Sequence, residues 1–245
     1  MPTYRLDISY EGTSFHGYAR QDDVRTVQGV VEAALARVMG PVETTVAGRT
    51  DAGVHARQQV VSFVMEPPVD VERLVRSLNG LLPADVAALA CREAGEGFSA
   101  RFTARSRSYR YAILNRPTPD PLLRSTTWHV PETLDVEAMQ RAAEAFVGEH
   151  DFASLCRRAE GRSTVRQVLE ASWGRSGDIV EFRVSATSFC HRMVRSMVAL
   201  CVEVGRGRVD SGDVPGILAA RDRAAAKGAA PSRGLVLWGV AYPDV

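Results

Sequence analysis

The stretch Tyr4-Arg5-Leu6-Asp7-Ile8-Ser9-Tyr10 puts Tyr4, Leu6, Ile8 and Tyr10 at every second position, with polar residues between them. Side chains two apart on an extended chain share a face, so this alternation predicts a strand with one face in a core. Beyond a glycine-bearing loop, Thr26 can cap a helix over 27–39 with Val27, Val30, Val31, Ala34, Leu35 and Val38 on one face and Gly40 at its end. Apolar runs near 44–47 and 59–65 read as strands flanking a glycine-containing loop. Asp70 can cap a helix through Leu78, and 86–90 reads as a weak further strand. Then come a strand over 108–114, a helix over 135–147, and strands over 168–173 and 179–185 that meet at the Ser176-Gly177 turn. A helix over 191–204 ended by Gly205, a helix over 214–221 and a strand over 235–242 complete the pattern. Strands and helices mix without strict alternation, which predicts an α+β fold with mostly antiparallel sheet and helices on one face.

Thr-Ser-Phe occurs at 13–15 and again at 187–189, a hint of two related halves. No Pro/Ser-rich linker divides them, and the expected boundary lies near Arg105: an N-terminal half over 1–104 and a C-terminal half over 105–245.

The 245 residues are 45% hydrophobic, enough to fill a core, and the formal net charge is only +1. A surface for a polyanion must therefore be a local patch. Lys227 is the only lysine among 30 basic residues, which leaves the surface rich in planar, forked guanidinium donors. Cys91, Cys156, Cys190 and Cys201 form no Cys-x-x-Cys pair and no secreted disulfide framework, so reduced thiols are expected. No basic segment followed by an apolar run opens the chain and no apolar stretch spans a bilayer; the expected location is the cytoplasm.

The segment Gly48-Arg49-Thr50-Asp51-Ala52-Gly53-Val54-His55-Ala56 lies between two predicted strands. Its glycines permit sharp turns and close approach to a ligand, while Arg49 and Asp51 would project from one loop. An arginine nearby favours an ionised carboxylate. An aspartate between glycines also serves simply as a turn-former, bonding its own backbone.

This segment resembles the signature of the tRNA pseudouridine synthase A family, in which the aspartate of Gly-Arg-Thr-Asp is catalytic. Tyr10-Glu11-Gly12-Thr13-Ser14-Phe15-His16-Gly17-Tyr18 and Thr26-Val27-Gln28 are similar to that family's opening segments. Phe98-Ser99-Ala100-Arg101-Phe102, Ser108-Tyr109-Arg110-Tyr111, Gly148-Glu149-His150-Asp151-Phe152 and Phe189-Cys190-His191-Arg192-Met193-Val194-Arg195 resemble its later ones. The chain departs from the pattern at Tyr18, where tryptophan is usual, at Ala19, where glutamine is common, and at Ser196, where asparagine is frequent.

The resemblance implies two α+β halves whose antiparallel sheets join into one extended sheet around a basic cleft, and a homodimer acting on uridines 38, 39 and 40 of the tRNA anticodon arm. It implies Asp51 as catalytic residue, Tyr109 as the surface for a flipped base and Arg195 as a partner for the carboxylate, with Tyr109, Arg49 and Arg195 as the substrate-binding residues. The reaction breaks the C1′–N1 bond, turns the base and joins C5 to C1′, so nothing is oxidised or hydrolysed and no cofactor or metal is expected. An ionised carboxylate can attack C1′ or C6 or act as base at C2′. A base that leaves its stack needs an aromatic surface.

For the RNA backbone, Arg101, Arg105, Arg107, Arg110 and Arg116 fall in a window without acidic residues, interleaved with Phe102, Tyr109 and Tyr111. Arg157, Arg158, Arg162 and Arg166 make a second cluster, and Arg20 and His55 are further candidate RNA contacts from the two motif segments. Two other classes compete. A catalytically silent RNA-binding protein would keep the basic patches, but Arg49, Asp51, Tyr109 and Arg195 are all present. A hydrolase using Asp51 with His55 would need a positioned nucleophile, and no Gly-x-Ser-x-Gly segment occurs. The five histidines are scattered, and no ligand spacing around Cys190-His191 completes a metal tetrahedron.

Overall fold

A computed structural model describes residues 1–66, 68–157, 161, 163–226 and 228–243. Arg158 and Arg162 of the second arginine cluster and Lys227 lie outside these. The first strand, β1 (Thr3–Tyr10), follows its sequence pattern: Tyr4, Leu6, Ile8 and Tyr10 are buried and the residues between them half-buried. Helix α1 (Val27–Met39) starts where Thr26 accepts a hydrogen bond from the Gly29 N–H at 3.3 Å. Its buried face is narrower than the apolar pattern: Val27, Val31, Ala34 and Leu35 are inside, whereas Val38 is exposed.

Strand β2 (Thr45–Val46) is short, and β3 (His55–Val64) begins four residues before its apolar run. The reason is pairing. Ala56 lies opposite Tyr10 of β1, and both His55 and Ala56 pair in parallel with the chain's last strand, so a polar stretch becomes strand by what flanks it. Helix α2 (Val71–Leu81) is capped by Asp70, which accepts from the Arg73 N–H at 2.9 Å. Strand β4 (Val86–Ala94) runs antiparallel to β1 along its whole length.

Strand β5 (Ser106–Leu114) alternates half-buried and buried residues, and β6 (Trp128–His129) pairs with it in parallel. Helix α3 (Val136–Glu144), capped by Asp135, stops three residues short of its predicted end. There the Phe146 and Val147 N–H groups turn back to the Ala143 and Glu144 carbonyls. Strand β7 (Gly148–Asp151), absent from the sequence pattern, pairs antiparallel with β8 (Val165–Ser176), which pairs antiparallel with β9 (Ile179–Ala186). Helix α4 (Met193–Gly205) starts two residues later than its pattern because Arg192, at φ 65°, is left-handed and cannot continue a right-handed helix. Helix α5 (Val214–Ala219) and strand β10 (Leu235–Ala241) close the chain.

The chain divides into two compact units, Met1–Arg107 with Val236–Val245, and Ser108–Leu235. In the first, the strand order is β4-β1-β3-β10 with β2 on β3, antiparallel except for the β3–β10 pair. Leu6, Ile8, Val60, Val61, Leu35, Leu74 and Leu78 form its core. In the second, the order is β5-β9-β8-β7 with β6 on β5, and Tyr111, Ile113, Phe146, Phe152, Phe182, Met197 and Cys201 are buried. The fold is α+β with mostly antiparallel sheet. All four cysteines are free thiols. Among the described residues no helix is long and apolar enough to cross a membrane, and no three His, Cys, Asp or Glu cluster as metal ligands.

Candidate active site

The loop joining β2 to β3 carries Arg49 and Asp51, and polar ties from four other parts of the first unit hold it. The buried Thr50 hydroxyl and the Tyr10 hydroxyl are 2.7 Å apart. Burial pushes the Tyr10 phenol up to about 12, so it stays a neutral hydrogen-bonding group. Gln59 of β3, fully buried, donates to the Gly48 carbonyl at 2.6 Å and to the Tyr10 hydroxyl at 3.3 Å. Arg107 donates to the Ala47 carbonyl from both Nε and Nη2, at 3.2 and 2.8 Å. With both flanks of the turn fixed, the Val54 N–H closes onto the Asp51 carbonyl at 3.1 Å.

The segment after β1 lies against this turn. The Tyr18 N–H donates to the Thr50 carbonyl at 3.0 Å, the Gly53 N–H donates to the Phe15 carbonyl at 3.3 Å, and the Gly12 N–H donates to His55 Nδ1 at 2.9 Å. This contact explains two glycines. A Cβ on Gly12 would lie 2.0 Å from the Val54 carbonyl oxygen, and Gly17 sits at φ +97° with the Thr50 carbonyl 3.1 Å from where its Cβ would be. The two motif segments that stood 30 residues apart in sequence are thus one interlocked structure. Asp51 itself is half-buried and Arg49 exposed beside it. Tyr18, which stands where tryptophan is usual, is fully buried and tilted against Tyr10 with ring centroids 6.3 Å apart.

In the second unit, Tyr109 of β5 is 9% exposed and meets Phe189 edge-on, with ring centroids 5.0 Å apart. Two residues on, Tyr111 is wholly buried, its hydroxyl donating to the Pro231 carbonyl at 2.8 Å, and burial raises its pKa. Two positions apart on one strand, the two tyrosines share a face, and that face is inward. Arg195 is half-buried on α4. Its Nε donates to the Ala230 carbonyl at 2.7 Å while the Ala230 N–H returns a bond to the Arg195 carbonyl at 2.9 Å. Buried Met193, Val194, Met197 and Val198 fix the helix around it. Ser196, where asparagine is frequent, is buried and accepts from Arg223 at 3.3 Å.

The arginines chosen as RNA contacts separate into different environments. Arg20, Arg101 and Arg105 are exposed, Arg20 with Glu32 at 3.5 Å. Arg110 is half-buried and 3.6 Å from Glu181, and Arg116 pairs with Asp120 and Asp178 at 3.2 and 3.3 Å. His55 and Arg107 are buried: His55 has Gly12 and, at 3.4 Å, Glu11 as partners, and Arg107 turns its guanidinium onto backbone carbonyls. Arg157 of the second cluster lines a hollow of about 420 Å³ with Cys156, Arg192, Arg221 and Arg223. Sequence reasoning missed the supporting residues Tyr10, Gln59 and Gly12. For Arg107 a signal existed, because it has the same parity as Tyr109, Tyr111 and Ile113 along β5.

Known proteins match the chain over nearly its whole length. The sequence profile of a family described as tRNA pseudouridine synthase matches residues 8–103 and 142–243. The chain is 44% identical to a tRNA pseudouridine synthase A of Leifsonia xyli subsp. xyli, over 98% of this chain and 91% of that protein. It is 45% identical to one of Moorella thermoacetica, over 99% and 100%, and 46% identical to one of Frankia casuarinae, over 98% and 89%.

Proposed function

This chain belongs to the tRNA pseudouridine synthase family, and on that premise we propose that it is an isomerase converting uridine to pseudouridine in tRNA, with Asp51 as its catalytic carboxylate. The observation that carries this reading is the anchoring of the Asp51 turn by Tyr10, Gln59, Tyr18, Phe15 and Arg107. A group that must meet one sugar or base carbon needs a position fixed in advance, because small displacements from attack geometry are costly in rate.

The carboxylate supplies the nucleophile or base at C1′, C6 or C2′. The C1′–N1 bond breaks, the uracil turns, C5 bonds to C1′, the hydrogen on C5 leaves as a proton and N1 takes one up, so atoms and electrons balance without a co-reactant. Tyr109 supports the flipped base and Arg49 and Arg195 hold the substrate's anionic groups. The exposed Arg20, Arg101 and Arg105, with Arg110, contact phosphates. Buried His55 and Arg107 are better placed to brace loops than to reach RNA.

Recognition by phosphate position and shape suits a folded anticodon arm. We place the target at uridines 38, 39 and 40, the enzyme in the cytoplasm with its substrate, and the working form as a homodimer. Mapping pseudouridine by carbodiimide modification and primer extension on an unmodified tRNA transcript tests the target. Stops at 38, 39 or 40 support it, and stops confined to another arm refute it. Tight binding with no stops at all would favour a catalytically silent RNA-binding protein.

A further inference from the structure

Phe102 is the one aromatic among the large apolar side chains that the described residues leave exposed, and it is 80% exposed. A mobile loop would make that unremarkable, but this loop is pinned at nearly every residue. The Ser99 N–H donates to Thr103 Oγ1 at 3.0 Å, and the Thr103 N–H returns to the Ser99 carbonyl at 3.1 Å. The Ala100 N–H donates to the buried Ser62 hydroxyl at 3.1 Å, and the Tyr242 hydroxyl donates to the Ala100 carbonyl at 2.7 Å. The Phe102 N–H itself reaches Ser99 Oγ at 3.4 Å. The ring is thus held out in water by a rigid support, with the exposed Arg101 guanidinium 5.1 Å from its centroid.

Arg107 ties this support to the turn of Asp51. Its guanidinium donates to the Arg101 carbonyl at 2.7 Å, to the Ala104 carbonyl at 3.2 Å and to the Ala47 carbonyl beside the catalytic turn at 2.8 Å. One buried planar fork thereby sets the Phe102 loop in fixed register with the Asp51 loop, all within the first compact unit.

We propose that Phe102, flanked by Arg101, is a platform on which an unpaired nucleotide of the tRNA stacks, and that Arg107 is a positioning residue holding that platform at a set offset from Asp51. The inference rests on the tRNA reading above. An exposed aromatic face beside a guanidinium is the pairing that takes a base on the ring and its phosphate on the cation. The charge of its own loop selects RNA as the occupant over an apolar protein surface: Arg101 and Arg105 are both exposed, and residues 99–105 carry no acidic side chain.

The test compares wild type, Phe102→Leu, Phe102→Trp and Arg107→Lys in steady-state kinetics on tRNA, in tRNA binding by fluorescence anisotropy, and in thermal unfolding. Phe102→Leu raises KM and Kd for tRNA about tenfold, the usual scale for loss of one base stack, with kcat within about twofold. Its melting temperature stays that of wild type because the ring is exposed, and Phe102→Trp restores wild-type KM. Folded Arg107→Lys weakens tRNA binding, and adding Phe102→Leu to it costs less than Phe102→Leu alone, because the platform is already displaced. Wild-type KM and Kd in Phe102→Leu would overturn the proposal, as would a Leu defect that Trp does not rescue. A change in sedimentation without a change in Kd would instead assign the ring to a protein contact. Should the wild type bind tRNA without isomerising it, the reading of the reaction fails, and the Kd comparison still decides the platform.

Discussion

The turn that carries Asp51 and the helix that carries Arg195 are held in place by different physics. Of the turn's own apolar side chains only Val54 is buried; Tyr10, Gln59, Arg107 and the backbone of residues 12–18 hold it through hydrogen bonds to its carbonyls, N–H groups and the Thr50 hydroxyl. Helix α4 is set by the burial of Met193, Val194, Met197, Val198 and Cys201, with Arg195 steadied by Ala230. Hydrogen bonds are directional and fix a position, whereas apolar burial is non-directional and mainly stabilises. The turn should therefore be sensitive in rate and the helix sensitive in stability.

The largest expected effect removes the carboxylate. Asp51→Asn should lower turnover by at least about a thousandfold, with tRNA Kd within about twofold in filter binding, since one carboxylate contributes little to holding a polyanion. A parallel loss of binding would mean that Asp51 organises the RNA surface instead.

Paired substitutions separate the two kinds of support. Gly12→Ala forces a methyl against the Val54 carbonyl and should cost about 1–3 kcal/mol while abolishing most turnover in molecules that remain folded. Met197→Ala leaves a cavity in a fully buried site and should cost about 2–5 kcal/mol, yet keep kcat within a fewfold below its melting temperature. Urea unfolding and activity on the same preparations check both. Equal rate losses at equal stability would erase the distinction.

Tyr109 sits between the two regimes, with a packed ring and a proposed stacking role. Tyr109→Phe should keep turnover within about threefold, and Tyr109→Leu should lose about tenfold or more in tRNA kcat/KM; identical activities would remove the stacking role. The smallest effect belongs to Arg110, whose contact with Glu181 is partly solvated. Arg110→Ala should change stability by less than about 1 kcal/mol, and should lower the salt dependence of tRNA binding by about one ion if it meets a phosphate.

The sequence revealed those parts whose signal is local. Alternation in Tyr4–Tyr10 and the caps Thr26 and Asp70 each depend on a few neighbouring residues, and the structure has them where the pattern puts them. Strand β7 was illegible because Gly148-Glu149-His150-Asp151 has no apolar alternation and becomes a strand only by pairing with β8. The polar start of β3 is the same case, set by β1 and β10 from opposite ends of the chain. At the site, the motif marked Asp51, but the support given by Tyr10, Gln59 and Arg107 comes from 41, 8 and 56 residues away in sequence. Arg107 looked like its exposed neighbours Arg101 and Arg105. Only its parity along β5 distinguishes the arginine that turns inward.

The most direct test of the central claim is tritium release from tRNA labelled at uridine C5, with wild type and Asp51→Asn side by side and no added cofactor. Joining C5 to C1′ must expel that hydrogen, so the wild type should release tritium and the variant none above background. Equal release from both, or no release by the wild type, would contradict it.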